Sequence, residues 1–187
     1  MKRLLLAAAL ALPLAADPRV IAGARQQVGV TRGYDPAYRK LAYPMGDVPR
    51  EVGVCTDVII RAYRHAGLDL QQLVHEDMKR NFSAYPKSWG MRTTDTNIDH
   101  RRVPNLATFF TRRGGKLAVT RRGADYKPGD VITWRLTGGL AHIGLVSDVP
   151  ARGTDRYLVV HNIGAGAQIE DVLFAYEVTG HYRWPQR

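Results

Sequence analysis

Apolar and polar positions follow two different rhythms along this chain. Up to about residue 115 the apolar residues recur at helical spacing. From 130 onward they come in short runs rich in β-branched and aromatic residues. "PRVIAGARQQVG" (18–29) predicts a first helix, with Pro18 at its start and Gly29 past its end. Apolar or small residues at 55, 58, 59, 62, 63 and 66 form one stripe. They predict a second helix that begins at Cys55 and stops at Gly67. Leu70, Leu73, Val74 and Met78 predict a third over 69–82, and "VPNLATFFTRRGG" predicts a fourth, stopped by Gly114 and Gly115. Residues 30–54 and 83–102 read as long loops, the first broken by repeated glycine and proline. "DVITWRL", "HIGLVSD", "RYLVVHN" and "YEVTGHYRW" predict four antiparallel strands. Helices first and strands after is an α+β order.

The start of the chain changes the picture. Lys2 and Arg3 precede an apolar run from Leu4 to Ala16, too short to span a bilayer and of the kind a secretory signal peptide carries. The expectation is a leader over 1–16 and one domain over 17–187, placed in the periplasm or secreted, with no membrane span in the mature chain. Cys55 is the one cysteine, so an exported chain forms no internal disulfide. Its thiol is a buried apolar group, half of an intermolecular bond, or a working nucleophile. The chain has 27 basic residues against 17 acidic and a net charge of +10, with pairs at Arg101-Arg102, Arg112-Arg113 and Arg121-Arg122. Such a surface attracts polyanions. For an exported protein an anionic envelope polymer is expected, and nucleic acid is not.

Cys55 stands in the first turn of its helix, where unpaired N–H groups and the helix dipole favour a thiolate. The strands add two imidazoles. A hairpin loop over Asp148 to Asp155 sets Ser147 opposite Arg156 and, stepping outward, His142 opposite His161 on the same face. A helix-head thiol with two sheet histidines points to nucleophilic catalysis, one ring moving the proton and the other orienting it. No metal and no cofactor are expected. Cys55, His142 and His161 lack the close-spaced pair of a zinc site. "DTNIDH" opens like a calcium loop but has His100 where glycine is needed and Leu106 where glutamate is needed. His100, Arg101 and Arg102 are candidates to bind an acidic substrate group, with structural arginines in a surface loop as the plain alternative.

Four strings carry a family resemblance: "GVCTDVIIRAY", "KPGDVITW", "HIGLV" and "VVHNIG". Together they resemble the NlpC-type cell-wall cysteine peptidases, a rearranged branch of the papain-like fold. The likeness runs from about Tyr43 to His161. It implies Cys55 as nucleophile, His142 as base and His161 as orienting residue. It also implies Tyr43, twelve residues before the cysteine, as a donor to the oxyanion. The expected activity is hydrolysis of an amide bond in peptidoglycan stem peptides. Acyl transfer on the same fold and a non-catalytic wall-binding module are the alternatives. The chain departs from the family pattern at Asp57, which puts a carboxylate near the thiol where glycine is usual and makes it a candidate substrate contact. "LVHEDM", "NIDHRRVPNL" and "TGHYRW" further resemble the YijF-like bacterial envelope proteins.

Overall fold

The computed structural model describes residues 16–185, so the expected leader lies outside the described residues. In chain order the elements are helix α1 (Pro18–Arg25), a two-residue strand β1 (Gly33–Tyr34), its parallel partner β2 (Val52–Gly53), and helices α2 (Cys55–His65), α3 (Leu70–Arg80) and α4 (Val103–Arg112). Strands β3 (Lys116–Leu117), β4 (Val131–Arg135), β5 (Ala141–Pro150), β6 (Tyr157–His161), β7 (Gln168–Glu170) and β8 (Glu177–Tyr182) follow. These six form one antiparallel sheet in the order β3-β8-β4-β5-β6-β7. The α+β order expected from the patterning is therefore the observed one. No helix among the described residues is long and apolar enough to cross a membrane.

The sheet separates two apolar cores. On one face Ile143, Leu145 and Val160 pack with the helices through Val58, Ile59, Tyr63, Leu106 and Phe110. On the other, Ile132, Trp134, Val146 and Val159 pack beneath Tyr126 and Leu173 from the connecting segments. Helix α1 lies against α2 at Gly23, where a Cβ would stand 2.5 Å from that of His65 and 2.9 Å from the Ala62 carbonyl oxygen. Side chains cap two of the helices: Asp17 accepts the Arg19 N–H at the start of α1, and Asp69 accepts the Gln71 N–H at the start of α3.

The hairpin β5–β6 departs from its expected register. Leu145 pairs with Val160 and Val146 with Val159, two positions away from the pairing that sets His142 against His161. Past an irregularity between Val146 and Pro150 the pairing of Pro150 with Tyr157 lies two positions further off, and β5 continues to Pro150 rather than ending at Asp148. A displacement by an even number keeps each side chain on its face.

Candidate active site

The N-terminus of α2 gathers the residues that carry chemistry. Val54 is extended there and donates its N–H to Asp57 Oδ2 at 2.7 Å, so the helix is closed by its own first turn. Asp57 is buried, and its two oxygens also accept Nε and Nη2 of Arg101, both at 2.9 Å. Arg101 directs weaker bonds to the carbonyls of Asp35 and Ala37, and the Thr56 hydroxyl donates to the Arg101 carbonyl at 3.1 Å. Asp57 and Arg101 thus neutralise each other and fasten the turn Asp99–Arg101 to α2. Both are candidate substrate contacts, and both use polar atoms inside the protein, while Arg101 also lines the recess beside Cys55. The guanidinium also explains how a carboxylate is tolerated beside the thiol.

Cys55 is only 5% exposed. Burial pushes its thiol up to about 12, and the Asp57 carboxylate acts in the same direction against backbone N–H groups of Ile143, Thr56 and Cys55 itself. Desolvation thus works against the thiolate that the helix terminus favours, in the direction of the protonated thiol.

Strand β5 passes the sulfur at the Ile143 backbone. One residue earlier, His142 lies on the opposite face of the strand, directly across from Trp134 and stacked on its indole with centroids 5.6 Å apart. Gly144 makes room for this, since a Cβ there would stand 2.9 Å from the Trp134 ring and 2.8 Å from Val159. His142 Nε2 meets His161 Nδ1 at 2.9 Å, and His161 Nε2 meets Glu170 Oε2 at 2.9 Å. The two rings are diagonal rather than direct neighbours, within the reach of long side chains across a ladder. Among the described residues no hydrogen bond joins Cys55 to His142; the sulfur's link to this strand is the backbone next to it.

The relay dictates its own tautomers. A carboxylate only accepts, so Glu170 holds the His161 proton on Nε2. Nδ1 of His161 then accepts, and His142 donates from Nε2. That leaves the lone pair of His142 on Nδ1, the ring nitrogen with no hydrogen bond among the described residues. Burial holds His142 down to about 3, with His161 adding to the effect. Burial also lowers His161, opposed by Glu170. Both rings are neutral at pH 7.

Asn162 binds the sheet end to the cysteine. It is fully buried, and its amide donates to the carbonyls of Gly33 at 3.2 Å and Gly53 at 3.1 Å while its Oδ1 accepts the Gly164 N–H. The residue after His161 thereby holds the residue two before Cys55.

A recess of about 240 Å³ opens beside Cys55. Tyr34, Trp89, Arg102, Val103 and Leu140 are among its walls. Burial pushes the Tyr34 phenol up to about 12, and the nearby cysteine adds to it. Tyr43 is not brought to this recess. Its ring packs edge-on against His75 of α3, because the following backbone is held there by Met45 N–H to Asp69 and Gly46 N–H to Gln71. His100 is also elsewhere: it is buried behind the turn and held down to about 3, by burial first and then by Arg101. Of the three basic candidates only Arg102 presents its side chain to the recess without an ion-pair partner. Glu170, Asn162 and Tyr34 have weak sequence signals. Each sits at the edge of a short element, in "QIE", "HNIG" and "RGYD".

A family profile described as "Domain of unknown function (DUF1287)" matches residues 21–184. The chain belongs to the DUF1287 family. It is 59% identical over 163 residues to "Uncharacterized protein YijF" of Escherichia coli (strain K12), covering 87% of this chain and 78% of that protein. The resemblance to YijF-like proteins is therefore shown, and the DUF1287 match encloses every residue from Tyr34 to Glu170.

Proposed function

We propose that this DUF1287 protein is an exported cysteine hydrolase of the NlpC-type, papain-like kind that cleaves an amide bond in peptidoglycan stem peptides. The observation that carries the reading is the ordered relay from Glu170 through His161 to His142, which leaves His142 Nδ1 unprotonated on the strand whose backbone meets the thiol at Ile143. A neutral thiol and a neutral imidazole suit a concerted start. The step requires Sγ and His142 Nδ1 to meet in the substrate-bound protein, because in the free protein no hydrogen bond among the described residues joins them. Cys55 Sγ attacks the carbonyl carbon as its proton passes to His142. The Cys55 N–H and the Tyr34 hydroxyl face the oxyanion. His142 returns the proton to the leaving amine as the C–N bond breaks. It then takes a proton from the water that attacks the thioester and gives it to Cys55 Sγ as the C–S bond breaks, so the product is a free acid and the thiol is restored. His161 and Glu170 hold the ring and support its transient charge.

The basic surface fits an anionic wall polymer, and residues 1–16 fit an export leader. Burial of Cys55, with its thiol raised to about 12, favours a second reading: a wall-binding module that keeps the fold without the chemistry. Digestion of purified sacculi, with released fragments read by mass spectrometry, separates the two. The hydrolase reading expects new carboxylate ends with wild type and none with Cys55→Ala. A new amide in place of the acid marks acyl transfer, and no fragments from wild type leaves the binding module.

A further inference from the structure

The recess beside the thiol is lined by a charge that no described residue answers. Two arginines line this recess and no aspartate or glutamate does. Arg101 is cancelled by Asp57 at 2.9 Å. Arg102 is not: its guanidinium makes no hydrogen bond or ion pair with any described residue, and it lies over the face of Trp89 at 4.5 Å. Its Nη1 is buried without an acceptor. Asp95 feels the charge only through space. A guanidinium nitrogen removed from water and left unpaired costs free energy that an acceptor recovers.

The backbone adds to this. Arg102 is the N-cap of α4, gives that helix no side-chain cap, and is followed by a first turn with no acidic residue. Val103 and Pro104 face the recess, as do Val54 and Cys55 at the start of α2. Two helix N-termini therefore point their positive ends into one space, and only that of α2 is offset by a carboxylate. Trp89 and Leu140, 62% and 69% exposed, form an apolar rim that would carry the methylene part of a ligand.

We infer that Arg102, held flat by Trp89, is the carboxylate receptor of this site and selects amides whose residue next to the scissile bond bears a free carboxylate. The inference deepens the hydrolase reading and rests on it. The planar fork suits two parallel bonds to the carboxylate, which an ammonium cannot reproduce. Because Arg102 and Cys55 line the same small recess, the carboxylate sits within about one residue of the attacked carbonyl.

The test uses the protein without its leader and two synthetic stem tripeptides, one with its side carboxylates free and one with them amidated. Wild type is expected to favour the free form by about 10- to 100-fold in kcat/KM. Arg102→Gln should bring the two peptides to within about twofold, and Arg102→Lys should keep part of the preference. Calorimetric binding to the Cys55→Ala protein repeats the comparison without chemistry, and thermal melts check folding. Cleavage with no carboxylate preference, or a preference that survives Arg102→Gln, overturns the inference and leaves the hydrolase reading intact. No cleavage, but Arg102-dependent binding of the free form, overturns the hydrolase and keeps the receptor. Neither cleavage nor binding sinks both.

Discussion

His142 and His100 are both buried, and both are held near 3 by loss of the water around them. Their unfolded value is about 6.5, so below that pH the unfolded chain binds more protons than the folded one. Their contribution to stability is full above 6.5 and is lost as pH falls toward 3. Denaturant midpoints should therefore drop between pH 6.5 and 5, before most carboxylates titrate, and His100→Asn should flatten the slope. A midpoint that stays level over that window contradicts the neutral-imidazole account. For catalysis, His142→Ala should lower turnover by about 10²- to 10⁴-fold, the usual weight of a general base. Glu170→Gln should be milder, because an amide can still bond His161 but can also donate and so disturb the tautomer. Steady-state rates on sacculus fragments check both, and equal losses from the two changes would show that His142 and Glu170 do not have unequal roles. At this scale the contact between His142 and His161 was legible from residue type and spacing. Tyr43 was not placed by counting back from the cysteine, since a proline-rich loop turns it toward α3. The closed pair Asp57–Arg101 was hidden because 44 residues of sequence separate two groups that fold into contact.

The hairpin shows what patterning can and cannot fix in an element. Alternation put both histidines on one face, and they are on one face. The register differs by two because the turn spans 151–156 rather than 148–155, a bound that a polar, glycine-containing stretch does not mark, and the irregularity before Pro150 takes back only part of the offset. Strand β7 was missed for a related reason. Three residues after a run of glycine and alanine carry too little period to read, yet they supply Glu170. Gly144 is the point where strand packing serves the relay. Gly144→Ala pushes a methyl into the Trp134 ring, which positions His142. It should cost about 1–3 kcal/mol of stability by overpacking, and lower turnover in the fraction that stays folded. Chemical denaturation and activity measured on the same preparation test this. A neutral change would mean that Trp134 does not hold the ring. Asn162→Ala removes the tie between the sheet end and Gly53, so it should raise the mobility of the α2 N-terminus. Faster amide exchange at residues 53–56 is the expected readout, and unchanged exchange would make Asn162 incidental to the site.

At the scale of the molecule, the helix-then-strand order was readable from rhythm alone. The recess was not, because its walls come from β1, the 83–102 segment, α4 and the start of β5. The positive charge belongs to this scale as well. Retention of the protein on purified sacculi should fall steeply as salt rises toward and above 0.15 M, since exposed charges are screened over about 8 Å there. Salt-independent retention would assign binding to the recess instead of the surface.

The central claim is that Cys55 forms a covalent bond to its substrate. Intact-mass measurement of protein quenched in acid during turnover tests it most directly. The account predicts a fraction of the chain heavier by one acyl fragment, released by hydroxylamine as a thioester is, mapped to Cys55 and absent from Cys55→Ala. Cleavage of sacculi that proceeds with no adduct on Cys55, or that persists in Cys55→Ala, would contradict it.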